Sequence, residues 1–338
     1  MGKWTKWVLF VVLAVCLLCG AAVVSQAAVD ITGEFTDANF RAAVQELIGK
    51  EQILDTDVAD IQILNLAAFD YDKQESVGQI TSLAGLEYFT GLSSLYCEGN
   101  QLTELPALTS LSGLERLDCW ANQLTALPTL PSGLLILDCG RNPLTTLSLP
   151  SGLKQVHFYD SQLTALPSLP PGLEVLDCGF NPIAEISFLP TGLKAFACDG
   201  IGLSALPTLP NTLEFLSCVV NELTVLPALP SSLEELYCYE NMLTALPALP
   251  PGLKLLDCAM NQLTSLDVTG LSLSYLNCMR NSIPSKSAVK GFTGTWDNVN
   301  FVFDPQNGAT TTPTHFWDTW PSWLVWILRY ILFGWIWM

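Results

Sequence analysis

The feature that most limits what this chain can become is a register. From Cys178 onward a cysteine recurs every 20 residues, at Cys198, Cys218, Cys238, Cys258 and Cys278. The same column begins earlier with Cys97, Cys119 and Cys139, and Phe158 stands in the next place. The unit reads L-x-x-L-x-C-x-x-N-x-L-T-x-L-P-x-L-P-x-x, as in Leu233, Leu236, Cys238, Asn241, Leu243, Leu246, Pro247, Leu249 and Pro250. A fixed period of this size specifies a solenoid, in which each unit buries its apolar face against its neighbours.

These residues resemble the leucine-rich repeat family over residues 92–281, and the proline-closed ending is similar to its short bacterial form, known from secreted effectors. The resemblance implies an α/β repeat fold: a leucine-rich repeat solenoid with parallel strands on the concave face, an extended convex side and an N-terminal helical cap. Leu95, Leu117, Leu137, Val156, Leu176, Phe196, Leu216, Leu236, Leu256 and Leu276 would then stack inside, about 4.8 Å apart. Each supplies roughly 1.5–3 kcal/mol of transfer free energy, so repetition of a modest term holds the array. Two prolines in four residues remove amide donors from any helix there, so the convex wall should be extended, polyproline-like backbone.

Half of the residues are apolar and 14% are charged, enough material for a core and no signature of disorder. The formal charge of −18 argues against nucleic acid, because phosphate recognition needs a basic surface. A protein partner fits better, chosen for basic character or without regard to charge.

Taken in order, residues 1–27 have the parts of a secretory signal peptide: Lys3 and Lys6, an apolar run from Val8 to Val24, and a small-x-small site at Ser25-Gln26-Ala27. An uncleaved anchor is the alternative. Residues 28–80 read as an N-terminal cap with a degenerate first repeat. Thr36 is the expected N-cap, with Phe35 packing on Phe40, of a helix reaching about Ile48 whose apolar face is Phe40, Val44, Leu47 and Ile48. A second short helix is expected from Asp55 and a strand from Ile61 to Leu66. Ile80, Leu83 and Leu86 resemble the repeat ending of internalins, leucine-rich surface proteins of Gram-positive bacteria. The solenoid proper covers 81–281, a C-terminal cap 282–304 and a linker 305–315.

Segment 316–338 holds six of the ten tryptophans and one basic residue, Arg329. A helix from Pro321 to Met338 would be about 27 Å long, just short of a bilayer core. Arg329 in its middle and tryptophans at both ends favour an interfacial or shallowly inserted anchor, a membrane-associating tail, over a plain stop-transfer helix.

Within the repeats, an asparagine column runs from Asn100 to Asn281, interrupted at Ser161 and Ile201. Its expected role is structural, a short amide that satisfies backbone groups where the chain leaves the strand. The unit holding Ile201 also carries Gly200 and Gly202, and a loosened turn is expected there. The cysteines are expected to be core fillers: nine remain after Cys16 and Cys19, and one per rung makes neither a tetrahedral cage nor an even set of pairs. Asp118, Asp138, Asp177 and Asp257 share one position, with His157 between them. This is read as a favoured surface residue rather than a metal site, since the dense oxygen pattern of a calcium loop is missing. No cofactor or metal is expected, and no enzyme either, because neither G-x-S-x-G, H-E-x-x-H nor a phosphate loop occurs. Some effectors with similar repeats carry a ubiquitin-ligase domain with a catalytic cysteine, and no cysteine follows the last repeat here.

Strand neighbours alternate sides, so residues flanking the buried leucines should face out of the concave surface. The candidate ligand-binding residues are Arg116, Asp118, Trp120, His157, Tyr159, Phe180, Phe215, Glu235, Tyr237, Tyr239 and Tyr275, aromatics amid acidic groups of the kind enriched where proteins dock. The expected function is an exported, cell-surface protein-binding module of adhesion or recognition, held to a membrane by its tail. The alternatives are a released effector acting on host proteins and a structural envelope protein.

Overall fold

The computed structural model describes residues 27–70, 72–73 and 75–307. Nearly all of the expected signal peptide, most of the expected linker and the Trp-rich tail lie outside the described residues.

One plan is repeated along the body. A parallel sheet of 12 short strands starts with β1 (Ile63–Asn65) and ends on β16 (Phe301–Val302). Between them lie β4 (Ser94–Tyr96), β5 (Arg116–Asp118), β6 (Ile136–Asp138), β7 (Gln155–His157), β8 (Val175–Asp177) and β9 (Ala195–Ala197). They continue with β10 (Phe215–Ser217), β11 (Glu235–Tyr237), β12 (Leu255–Asp257) and β14 (Tyr275–Asn277). The register holds from rung to rung, with Leu64 opposite Leu95, Leu117 opposite Leu137 and Leu256 opposite Leu276. Those central residues are buried and form one continuous core with the cysteines and the convex leucines. Repeat side chains at one position stack on themselves, so an apolar residue there makes the same contact in every rung.

After each of β4 to β12 and β14, the third residue beyond the strand has left-handed backbone, from Gly99 (φ 71°) through Phe180 (53°), Val220 (55°) and Glu240 (56°) to Arg280 (52°). The asparagine that follows closes the turn. Asn122 Nδ2 donates to the carbonyls of Cys97 in the preceding rung and Cys119 in its own, both at 3.0 Å, and its Oδ1 accepts the Leu102 amide at 3.0 Å. Asn142, Asn181, Asn221, Asn241, Asn261 and Asn281 repeat this pattern. On the convex side the chain is extended through the prolines and then turns tightly. Leu173 donates its amide to Pro170, and Leu213 to Pro210, both at 3.1 Å, which aims the chain into the next strand.

At the N-terminus, helix α1 (Ala38–Ile48) is capped by Asp37, not by Thr36. The Asp37 carboxylate reaches two amides, Asn39 and Phe40, at 2.9 Å, and its other oxygen accepts from the amide and hydroxyl of Thr81, tying the cap to the solenoid. Phe35 and Phe40 do meet, with ring centroids 5.3 Å apart, and both pack on Phe89. Phe40 and Val44 are buried and Ile48 is half-buried, but Leu47, on the same face in the last turn of the helix, is 53% exposed. Helix α2 (Asp55–Val58) and β1 follow, and between β1 and β4 a hairpin of β2 (Phe69–Asp70) and β3 (Glu75–Ser76) projects from the rung. This hairpin decides the fate of Trp120, as described below.

The C-terminal end closes with β13 (Leu266–Asp267) paired to β15 (Val289–Lys290), and with Phe292, Trp296, Phe301 and Phe303 in mutual ring contact. Gln306 takes over the asparagine role there: its Nε2 donates to Cys278 O at 3.0 Å and its Oε1 accepts the Ile283 amide at 3.3 Å. Packing therefore continues through 305–307, past the start expected for the linker. Among the described residues, no helix is long and apolar enough to cross a membrane.

Candidate functional site

In β4 to β12 and β14 the first and third residues, and the one after the cysteine column, lie on the side opposite the buried leucine and face the concave surface. Three zones follow from the sequence along it. The first zone is acidic and carries Glu98, Asp118, Asp138, His157 and Asp177. A buried apolar strip of Val175, Ala195 and Phe215 comes next, packed against Tyr237, whose ring lies 5.6 Å from that of Phe215. The last zone pairs tyrosines with carboxyl groups: Tyr237 Oη donates to Glu235 Oε2 and Tyr275 Oη to Asp257 Oδ2, each at 3.3 Å.

The predicted residues divide by accessibility. Arg116, His157, Tyr159, Glu235, Tyr237, Tyr239 and Tyr275 are half-buried and open to the concave side, and Phe180 is 38% exposed at its edge. Phe215 is buried at 7% exposure within the apolar strip, not open to the face as expected. Trp120 is not an exposed aromatic at all: it is fully buried, because Phe69 of the hairpin lies on it with centroids 4.4 Å apart. Arg141 covers the same pair, 5.8 Å from the Phe69 ring and 6.0 Å from that of Trp120. The hairpin has no counterpart in the repeat pattern, so counting along the repeat could not foresee this contact. An open hollow of about 240 Å³ remains between hairpin and solenoid, lined by Phe69, Ser76, Asn100, Ala121, Asn122, Gln123 and Arg141.

The aspartate column is buried rather than superficial. Asp118 is 1% exposed, Asp177 3% and Asp257 5%. Its repetition has a local cause: the carboxylate accepts the amide two residues on, as Asp138 does from Gly140 at 3.3 Å, Asp177 from Gly179 at 3.1 Å and Asp257 from Ala259 at 3.1 Å. That bond satisfies a donor where the strand ends and the left-handed turn begins. Burial raises the carboxyl groups, Asp138 to about 7 and Asp257 to about 6, and holds Asp118 well above its ordinary value. Burial, helped by the Arg116 charge, lowers His157 to about 4, so the imidazole is neutral. The cysteines are all free and buried, and burial pushes the Cys119, Cys178 and Cys218 thiols well up.

Glu98 escaped the sequence reading although it shares a repeat position with Trp120, Tyr159 and Tyr239; its signal was the register alone. It is 6% exposed, and burial raises its carboxyl. Outside the face, a row of Lys154, Glu174, Lys194, Glu234 and Lys254 forms pairs between adjacent rungs, with Lys194 Nζ 2.8 Å from Glu174 Oε2 and Lys254 Nζ 2.6 Å from Glu234 Oε2.

Twelve in-register parallel strands, an asparagine cage at each turn and an extended convex wall are the features of one family. Residues 90–132 match its description, leucine-rich repeats in two copies. The chain folds as a leucine-rich repeat solenoid. Among solved structures, it is similar to YopM from Yersinia enterocolitica (37% identity, TM-score 0.56), over 61% of this chain and 46% of that one. The match thus spans under half of that YopM. YopM from Yersinia pestis, described as a leucine-rich effector protein, is 27% identical over 75% of this chain and 79% of that one, with a TM-score of 0.58. An internalin from Listeria monocytogenes shares the fold at 19% identity, over 76% of this chain and 80% of its own, with a TM-score of 0.59. No curated protein matches the leucine-rich repeat chain.

Proposed function

We propose that this leucine-rich repeat protein is a protein-binding module, exported and held at the cell surface, that takes its partner on the concave face. The observation that carries this reading is the set of aromatics open on the face, Tyr159, Tyr237, Tyr239 and Tyr275 half-buried and Phe180 exposed, with Tyr237 and Tyr275 oriented by Glu235 and Asp257. Such a surface offers anchoring apolar contact flanked by oriented polar groups, which is how protein interfaces are composed. No chemistry of its own is assigned to the face: its carboxyl groups serve strand ends, and its thiols are sealed in the core.

A photo-crosslinking residue placed at Tyr239, on the face, and at Phe188, 61% exposed on the convex side, tests the module. A discrete adduct from position 239 and none from 188 supports it. Equal labelling from both positions refutes it and leaves the structural envelope reading. The effector description of the Yersinia pestis protein favours a second reading, release from the cell. Fractionation of the full chain against one truncated after His315 separates the two. Membrane-bound, protease-accessible full chain with a released truncation supports surface anchoring; both forms in the medium support the effector.

A further inference from the structure

The net charge of this chain is unevenly placed. Residues 28–266 carry 28 acidic and 8 basic side chains, a net of −20, whereas residues 267–338 carry four of each and are neutral. The strands of the long sheet stack in chain order from β1 to β16, so this imbalance along the sequence becomes one along the solenoid axis, an acidic body with a neutral C-terminal end.

The cap at that end engages each of its carboxylates. Lys290 Nζ lies 2.8 Å from Asp267 Oδ2, and Lys286 Nζ 2.8 Å from Asp304 Oδ2. Asp297 accepts the amides of Val299, Asn300 and Phe301, each at 2.9 Å. The remaining exposed side chains from Ser282 to Asn300 are uncharged, and Val299 among them is 71% exposed. Phe292 and Trp296 are half-buried beside them, with ring centroids 4.2 Å apart. Lysines interleaved with Trp and Phe rings are the composition of surfaces that meet lipid headgroups. The nearest carboxyl groups outside the cap that reach solvent, Glu234, Glu235 and Glu240, belong to the rung of β11, three strand spacings from β16. That is about 14 Å, beyond the Debye length of about 8 Å at physiological ionic strength. The chain also leaves the body here: Asn307 donates its amide to Asn281 O at 2.6 Å, and the Trp-rich segment begins nine residues further on, within about 32 Å even at full extension.

We propose that the C-terminal cap, residues 282–304, lies on the headgroup surface of a bilayer containing anionic phospholipid, with the acidic rungs and the concave face carried outward along the solenoid axis. This rests on the surface-held reading above and adds which end of the molecule meets the membrane. An anionic surface repels a body of net charge −20 but not a neutral cap, so the place of the tail in the chain and the charge gradient select the same orientation. A side-on pose would instead bring the carboxylates of every rung within a Debye length of the headgroups. The eleven spacings from β1 to β16 amount to about 53 Å, which keeps the concave face open to a partner.

The test uses the full chain with vesicles of phosphatidylcholine, a third of whose lipid is phosphatidylglycerol, and with a nitroxide on part of the headgroups. A fluorescent amino acid replaces Val299 on the cap or Val29, 49% exposed at the opposite end. Quenching at position 299 is expected to exceed that at position 29 at least threefold. Thr293→Glu combined with Thr295→Glu adds charge at two exposed cap positions, leaves both ion pairs in place and should lower the quenching at 299 at least twofold. Ala205→Glu combined with Thr208→Glu adds the same charge on a middle rung and should leave it unchanged. Equal or stronger quenching at 29 in protein that sediments with the vesicles overturns the proposal and leaves anchoring intact; a doubled mass in detergent then assigns the cap to a second copy. An equal response to the cap and middle-rung variants overturns it too. Melting curves confirm that each variant is folded. Failure of the full chain to sediment with the vesicles removes the surface-held reading and this inference together.

Discussion

Asp138 lies directly opposite Asp118 on adjacent parallel strands, and both carboxyl groups are buried. Two such groups cannot both ionise cheaply, so folding favours their protonated forms. A folded-state pKa raised to about 7 means that the native chain binds a proton which the unfolded chain, at an ordinary carboxylate value, releases. Stability from this source is therefore present at lower pH and lost as pH rises through about 7. His157 acts in the opposite sense, but only below the ordinary histidine value of about 6.5. Melting followed at pH 6 and pH 8 should show the protein more stable at pH 6, by about 1–2 kcal/mol. Asp138→Asn should raise stability at pH 8 and flatten the difference; a profile that climbs from pH 6 to pH 8 would contradict the burial of the column.

Val220 holds a left-handed backbone at φ 55°. A β-branched side chain is disfavoured there, whereas asparagine tolerates the conformation through its short polar side chain. Val220→Asn should stabilise the solenoid by about 0.5–1 kcal/mol in urea unfolding. Gly99→Ala is the opposing case, because a Cβ at that position would sit 2.4 Å from the Ala68 carbonyl oxygen where the hairpin leaves the first rungs. That variant should lose 1 kcal/mol or more, roughly. Neutral outcomes for both would remove backbone strain as a term in the rung.

The periodic part of this molecule could be read off the chain because each rung repeats one environment. Leu236 has the same neighbours as Leu216 and Leu256, so a single pattern places all three. What escaped was whatever occurs once. The hairpin that covers Trp120 stands before the period begins, and no count along the repeat reveals that Phe69 reaches it. Asp37 displaced Thr36 as the helix cap because its carboxylate also serves Thr81, a residue 44 positions away. The aspartate column was visible, but its burial depends on neighbouring rungs, and its hydrogen bond depends on a left-handed turn that no residue type announces. Glu98 shows the same limit: its position was legible, its burial was not.

Cys218 is enclosed in the core with its Sγ 3.6 Å from the Tyr237 carbonyl oxygen. A thiol in this place behaves as a small apolar group, and a hydroxyl is desolvated at greater cost. Cys218→Ser should destabilise by about 1–3 kcal/mol without altering crosslinking from position 239. The thiols should also resist alkylation in the native protein and react after unfolding in urea, since burial raises them far from the thiolate. An unchanged melting temperature in the serine variant would exclude this position from the core.

Ser161 interrupts the asparagine column, and its buried Oγ makes no hydrogen bond among the described residues. At the flanking rungs, Asn142 and Asn181 each join two neighbouring turns through an amide that both donates and accepts. The amide of Leu144 instead reaches the Asn142 carbonyl two residues back, at 2.7 Å, a poorer arrangement than the one the column offers elsewhere. A serine side chain is one amide too short to span the rungs. Ser161→Asn should therefore restore the missing links and raise stability by about 1 kcal/mol or more, measured as an increased urea midpoint with an unchanged slope. Asn181→Ser, which makes a second gap beside the first, should cost more than that, because it leaves the Leu163 amide and the Phe158 carbonyl without the partner they now share. If the two substitutions shift the midpoint equally little, the asparagine cage does not hold the rungs together and leucine stacking alone carries the solenoid.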